Sequence, residues 1–119
     1  MRLREVRKAR GISQLKLAMD LNTNQNTISR YETGEREPGI VELIALADYF
    51  NVSIDYLLGR SSCNMSPTVL EQQVSSGKTW SQLITDIQSL TPDRQKALLR
   101  VVNDMKTATL IEALKKERE

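Results

Sequence analysis

The apolar residues of this chain recur every three or four positions, in short blocks separated by glycine, asparagine, serine or proline. This spacing is typical of amphipathic helices, because residues three and four apart lie on one helix face. Five such blocks occupy residues 1–60, and no stretch sustains the strict alternation that is typical of a strand. The pattern predicts an all-α protein with five short helices in its first half.

Capping residues indicate where these helices begin and end. Ser13 suits the N-cap of the second helix, and Thr23 or Asn24 suits that of the third, since their side chains accept hydrogen bonds from free backbone N–H groups. Asn22 suits a left-handed conformation between the two helices, and Gly34 is expected to end the third. The predicted inward-facing residues are Leu17, Ala18, Leu21, Ile28 and Tyr31, followed in the fourth helix by Ile40, Leu43, Leu46, Ala47 and Phe50.

The third predicted helix, residues 24–33, is polar apart from Ile28 and Tyr31. When these two residues face inward, the helical repeat turns the polar residues outward. Amide and guanidinium groups match the base edges in the DNA major groove, and a short helix–turn–polar helix is typical of a helix-turn-helix. An ordinary amphipathic surface helix is the alternative interpretation. The outward-facing and flanking residues are Gln25, Asn26, Ser29, Arg30 and Thr33.

Charge is unevenly distributed along the chain, although the net charge is only +2. Residues 1–36 carry eight basic and four acidic side chains, whereas residues 37–59 carry four acidic side chains and no basic one. A basic region favours a polyanionic partner, and a solvated charged surface is the alternative.

Composition argues against several classes of protein. The 119 residues include no His and one Cys, Cys63, so His-dependent nucleophiles, His metal sites and an internal disulfide are excluded. We therefore expect no enzyme, no metal and no cofactor. The charged N-terminus is not followed by an apolar segment, and the longest apolar run, residues 43–47, is too short to cross a bilayer. We expect a cytoplasmic protein that has no membrane partner.

Three stretches within residues 3–59 resemble the Cro/repressor-type helix-turn-helix of the XRE family of bacterial and phage regulators. They read LREVRKARGISQLKLAMDL, TISRYETGEREP and LADYFNVSIDYLLG. Gln14 matches the family's Gln at the start of the second helix, whereas Asn22 and Gly39 replace its usual Gly and Ser. The resemblance implies a five-helix, lambda-repressor-like DNA-binding domain and a transcriptional regulator, with repression as the expected effect.

The resemblance also implies roles for individual residues. Thr33 and Arg36 are expected to contact the DNA backbone. The resemblance also allows Gln14 to contact the backbone. Arg7 and Glu32 are expected to form an ion pair that links the first helix to the end of the third. The residues expected to contact base edges are Gln14, Gln25, Asn26 and Arg30.

The second half repeats the helical pattern without a catalytic or metal-binding motif. Ser66 and Pro67 predict a short helix that continues through Val74 and is broken by residues 75–77. Thr79 and Gln82 predict a capping box at the start of another helix. Thr91 and Pro92 predict the start of a long helix from about Asp93 towards the C-terminus.

The predicted domains are residues 1–60, a linker at 61–78, and a helical dimerisation region at 79–119. With a single aromatic residue, the last segment has too little apolar volume for a core of its own, so its apolar stripes need a partner. A homodimer would bind a palindromic operator, since a two-fold axis would relate the two DNA-reading units. The alternative is an antitoxin-like module that autoregulates through its N-terminal domain and binds a protein antagonist with its C-terminal helices. The predicted dimerisation residues are Trp80, Leu83, Ile84, Ile87, Leu98, Val101, Val102 and Met105.

Overall fold

The computed structural model describes residues 1–75 and 77–118, which form two compact units, Met1–Gln72 and a second beginning at Gln73. The described residues are mostly helical, as the sequence predicts. The helices of the first unit are α1 (Leu3–Ala9), α2 (Gln14–Asp20), α3 (Gln25–Thr33), α4 (Ile40–Phe50), α5 (Ile54–Leu57) and α6 (Pro67–Leu70). The second unit contains β1 (Gln73–Ser75), β2 (Lys78–Thr79), α7 (Trp80–Gln88) and α8 (Pro92–Arg118).

One apolar core holds the first unit together, and most of the residues predicted to face inward contribute to it. Leu21 and Leu43 are half-buried against this core. Ile40 was predicted to face inward, and that prediction is wrong, because its side chain is 79% exposed. It is the first residue of α4, where the apolar stripe continues beyond the edge of the core. The core residues are Leu3, Val6, Leu17, Ala18, Ile28, Tyr31, Leu46, Ala47, Phe50, Val52 and Leu57.

Local hydrogen bonds explain where the helices begin. Ser13, Asn24 and Ser53 each accept a hydrogen bond from the backbone N–H three residues later, so Asn24 rather than Thr23 caps α3. Asn22 has a φ of 55°, in the left-handed region, and Gly34 ends α3 with a φ of 81°. These predicted turn positions are confirmed.

The first turn of α4 has a different arrangement. Gly39 is its N-cap and supplies no side-chain hydrogen bond, as expected from the absence of the family's usual Ser. The carboxylate of Glu42 folds back over this end, and its Oε2 atom lies 2.5 Å from the position that a Cβ on Gly39 would occupy. The N-terminus of α4 is therefore covered by a flexible side chain from within its own first turn.

Residues 61–72, which the sequence assigned to a linker, belong to the first unit. Val52 and Met65 form an isolated antiparallel bridge, and the Ser66 hydroxyl donates to Asn51 Oδ1 over 2.9 Å. Ser66 is buried, although it lies in a polar stretch of sequence. The predicted linker is therefore divided between the two units, because backbone pairing across a dozen residues leaves no local sequence pattern.

The helix predicted to continue through Val74 ends at Leu70, and a short two-stranded hairpin follows it. Residues Gln73–Ser75 pair antiparallel with Lys78–Thr79. Gly77, with a φ of 77°, allows the tight reversal between them. Such a short hairpin offers too few alternating positions to be recognised from sequence. Ser76, which was predicted to help break the helix, lies outside the described residues.

Helices α7 and α8 are joined by hydrogen bonds close to their shared turn. The predicted capping box is present at Thr79 and Gln82, where each side chain accepts from the other residue's backbone N–H. Gln95 of α8 donates through Nε2 to the carbonyls of Ile87, over 3.0 Å, and Leu90, over 3.2 Å. Between Leu99 and Arg118 every residue of α8 is exposed.

Candidate nucleic-acid interface

The outer side of α3 carries an uninterrupted row of polar side chains. Ile28 and Tyr31 are buried in the core, and this burial fixes the rotation of the helix about its axis. Ser29 is half-buried at the margin of the outer side. The exposed residues are Gln25, Asn26, Arg30 and Thr33. The short helix therefore buries one narrow apolar side and presents the rest to its surroundings.

The start of α2 meets the start of α3 at this surface. Gln14 is the first residue of α2, and its Oε1 accepts a long hydrogen bond of 3.4 Å from Nε2 of Gln25, the first residue of α3. Together with Asn24, Asn26 and Ser29, these two glutamines line a shallow open depression. The structure thus brings together three of the four residues expected to contact bases, each with a side-chain amide that both donates and accepts.

Arg30 and Arg36 differ in their surroundings. Arg30 is exposed on the outer side of α3 and has no ion pair among the described residues. Arg36 lies beyond the helix, with its guanidinium carbon 5.9 Å from the centre of the Tyr31 ring. The Thr33 hydroxyl donates to the carbonyl of Arg30 over 3.2 Å, so its hydrogen is engaged within α3 while its oxygen can still accept. Arg30 is therefore exposed on the outer side of α3, whereas Arg36 lies beyond the helix end, near the ring of Tyr31.

Arg7 and Glu32 form an almost fully buried ion pair between α1 and α3. Nε and Nη2 of Arg7 donate to the two carboxylate oxygens over 3.0 and 2.9 Å, and Nη1 donates to the carbonyl of Ile12 over 2.9 Å. The hydrogen bond to Glu32 raises the pKa of Arg7 above its ordinary value, despite the opposing effect of burial. The pair holds the C-terminal end of α3 against α1, and it lies away from the outer side that carries the exposed polar residues.

A second polar network, which the sequence analysis did not identify, connects α2 to α4. The Tyr49 hydroxyl donates to Asp20 Oδ2 over 2.6 Å, and Lys16 Nζ lies 3.0 Å from Asp20 Oδ1. The Tyr49 hydrogen bond, followed by the Lys16 contact, lowers the pKa of Asp20, and the same Asp20 bond raises the pKa of Tyr49. The spacing of Lys16 and Asp20 was visible as a helical pair, but Tyr49 is 29 positions from Asp20. Asp20 ends α2, so this network anchors the helix just before the turn into α3.

The residues predicted to form a dimer divide into two groups. Leu83, Ile87 and Leu98 are half-buried within the second unit. The others are exposed and are free to contact another molecule. These exposed residues are Trp80, Ile84, Val101, Val102 and Met105.

Within residues 1–75 and 77–118, no three His, Cys, Asp or Glu side chains are grouped closely enough to hold a metal ion. None of the described helices combines the length and the apolar character that a bilayer-crossing segment requires.

This geometry defines a helix-turn-helix, the class of domain that presents its second helix to the DNA major groove. The Helix-turn-helix family model matches residues 3–57. The chain belongs to the XRE family of helix-turn-helix transcriptional regulators, a DNA-binding and non-enzymatic class.

Three curated relatives show the extent of the similarity. The HTH-type transcriptional regulator AnsR of Bacillus subtilis is 36% identical over 83 residues, which cover 69% of this chain and 67% of AnsR. The cryptic phage CTXphi transcriptional repressor RstR of Vibrio cholerae is 28% identical over 104 residues, 87% of this chain and 83% of RstR. The HTH-type transcriptional regulator ImmR of Bacillus subtilis is 42% identical over 59 residues, 50% of this chain. The matched region spans only 46% of ImmR, about half of its length.

Proposed function

We propose that this protein is a repressor that binds operator DNA in the cytoplasm, with α3 in the major groove. The observation that carries the proposal is the exposed polar side of α3, on a helix whose other side is fixed by the buried Ile28 and Tyr31. The name of RstR, a transcriptional repressor, supports repression rather than activation.

Four side chains are proposed to contact base edges. Arg30 is unpaired among the described residues and central on α3, and its two-donor fork matches O6 and N7 of guanine. Gln25 and Asn26 carry amides that match adenine. Gln14 accepts a hydrogen bond from Gln25, so it would orient the Gln25 amide. Gln14 would itself contact either a neighbouring base or a phosphate. Base contacts of this kind determine which sequence is bound.

Thr33 and Arg36 are proposed to contact the phosphate backbone from the edge of the surface. Such contacts position a domain on DNA and strengthen binding to all sequences alike. Glu35 and Glu37 flank Arg36 and weaken the local positive potential. We therefore expect moderate affinity for non-specific DNA, with a strong dependence on salt.

The protein is further proposed to bind a palindromic operator as a homodimer. The outer part of α8 exposes apolar side chains, and a nearly apolar strip runs along it past Val102, Met105 and Leu110. Burying this strip against a second copy would remove it from water, and a two-fold axis would place two α3 helices on two half-sites.

The roles of Arg30 and Arg36 are separable by mutation. Arg30→Ala is expected to cost about 1–3 kcal/mol on the cognate site and to relax the preference at one base pair. Arg36→Ala is expected to weaken binding to all sequences and to reduce the slope of log affinity against log salt by about one. The measurement is a titration of each variant against the selected operator and its single-base variants, at several salt concentrations. Arg60→Ala, which removes an exposed arginine outside the helix-turn-helix, is the matched control.

Two results would contradict these assignments. If Arg30→Ala keeps the sequence preference while Arg36→Ala alters it, the two roles have been exchanged. If neither variant changes DNA binding while circular dichroism shows an intact fold, α3 contacts something other than DNA.

The dimer is tested by sedimentation of the full chain and of Met105→Glu. We expect a dimer for the unmodified chain and a monomer for the variant, whose affinity for a full operator falls because two linked half-site contacts become independent. Thr107→Glu adds the same charge to another side of α8 and should remain dimeric. A full chain that stays monomeric at tens of micromolar would contradict the dimer. If that monomer forms a tight complex with a second protein through α8, the antitoxin-like alternative is favoured instead.

A further inference from the structure

The outward side of α4 is apolar, and the described residues leave it uncovered. Ile40 and Val41 are 79% and 76% exposed, and Ile44 is 44% exposed. Ile40, Ile44 and Asp48 are spaced by four residues, so they lie one above another along the helix. Scattered apolar residues are ordinary on protein surfaces, but Ile40, Val41 and Ile44 are contiguous and begin at the first turn of one helix.

This stripe leads into a recess of about 340 Å³ at the C-terminal end of α4. Ile44 belongs to both features, which makes the surface continuous. Asp48 and Asp55 line the recess together with mostly apolar residues. No residue of α2 or α3 lines it, so it is separate from the proposed DNA-binding residues. The other lining residues are Ala47, Val52, Ser53, Ile54 and Pro67.

The charge around this surface has one predominant sign. Residues 37–59 contain four acidic side chains and no basic one. Asp48 is exposed and has no ion pair in the described part of the chain. Asp55 Oδ1 lies 3.4 Å from Nη1 of Arg60, but both side chains are mostly exposed. A cation from another molecule can therefore readily replace Arg60 beside Asp55. Two further bases border this region, because Arg10 donates to the carbonyl of Phe50 and Arg2 donates to the carbonyl of Tyr56.

We propose that the outward side of α4 and its recess form a docking site for a protein that presents a basic amphipathic helix. Apolar side chains of the partner would cover Ile40, Val41 and Ile44, and its flanking Lys or Arg residues would pair with Asp48 and Asp55. DNA and anionic lipid do not fit, because carboxylates repel phosphate. The same surface of a second copy is also disfavoured as the occupant, since residues 37–59 offer no basic side chain to pair with Asp48 and Asp55.

The dimensions of the site indicate the size of the partner segment. The eleven residues of α4 span about 16 Å, which corresponds to about three turns of a partner helix. Such a contact is small compared with a stable protein–protein interface, so binding is expected to be reversible and sensitive to salt. No residue of α2 or α3 lines the recess, so a partner seated there would leave the outer side of α3 uncovered.

The test uses the full chain and a fluorescently labelled, designed helical peptide of about 16 residues, with a leucine stripe flanked by lysines. We expect saturable binding by fluorescence anisotropy, with backbone amide shifts in NMR spectra concentrated in residues 40–55. Asp48→Lys should weaken binding at least tenfold, whereas Asp104→Lys, an equal charge change on α8, should leave it within twofold. Val41→Ser, at a highly exposed position outside the core, should also weaken binding.

A peptide with glutamates in place of the lysines should not bind, because it keeps the apolar stripe and reverses the charge. Equal binding of both peptides would overturn the proposal, since it would indicate unspecific apolar adhesion. The proposal also fails if Asp48→Lys and Asp104→Lys behave alike, if the amide shifts lie mainly in α7 and α8, or if the lysine peptide does not bind at millimolar concentration. None of these results depends on operator binding.

Discussion

The ion pair between Arg7 and Glu32 should be among the most sensitive polar contacts of the first unit. The side chains are only 9% and 2% exposed, and the guanidinium uses three of its donors within the protein. Glu32→Ala would leave the Arg7 cation buried without its counter-charge. Water has little access to replace the lost carboxylate, so we expect the free energy of unfolding to fall by about 3–5 kcal/mol.

This loss is large for a domain of this size, since total stabilities are typically about 5–15 kcal/mol. With a urea slope of roughly 1 kcal/mol per molar, the unfolding midpoint should fall by several molar. The assay is urea denaturation followed by circular dichroism, on the unmodified chain and on the variant. Partial unfolding of the variant without denaturant would agree with the estimate.

Two further variants separate the ion pair from general damage. The double variant Arg7→Met with Glu32→Ala removes the unpaired cation, so it should be more stable than Glu32→Ala alone. Lys16→Met disrupts the exposed pair with Asp20 and should cost less than about 1 kcal/mol. A loss below 1 kcal/mol for Glu32→Ala, or a double variant that is no more stable than it, would refute the reasoning.

Three other predictions concern stability. Gly39→Ser should raise the free energy of unfolding by about 0.5–1 kcal/mol, because the Glu42 carboxylate can rotate away and complete a capping box with the new Ser. Gly39→Ala should not give this gain, and thermal unfolding of both variants measures the difference. Because the pKa of Asp20 is lowered in the folded state, its carboxylate stabilises the fold at pH values above its ordinary pKa of 3.8. This contribution disappears as the pH falls through the lower pKa of the folded state. Asp20→Asn should therefore show a smaller loss of stability between pH 5 and 2 in urea titrations, and an unchanged loss would contradict this. A fragment of residues 1–72 should unfold at a higher temperature than one of residues 1–60, because only the longer fragment keeps the Val52–Met65 bridge.

Helices α1 to α5 and the polar side of α3 could be predicted from the sequence alone. These features depend on local physics, since capping side chains act over three residues and a helix face is set by the 3.6-residue repeat. Asn22 in the left-handed turn and Gly34 at the helix end followed from such rules, whereas the choice of Asn24 over Thr23 as the cap of α3 came from the structure. The roles of Arg7 and Glu32 were different, because only the resemblance to a known family implied a pair between them.

Contacts between residues far apart in the chain were visible only in the folded structure. Tyr49 reaches Asp20 across 29 positions, and Val52 pairs with Met65, although neither contact has a sequence signal. Ile40 fitted the apolar stripe of its helix, yet it lies beyond the edge of the core and is exposed. Periodicity reports only which residues share a helix face, whereas burial depends on whether another element covers that face.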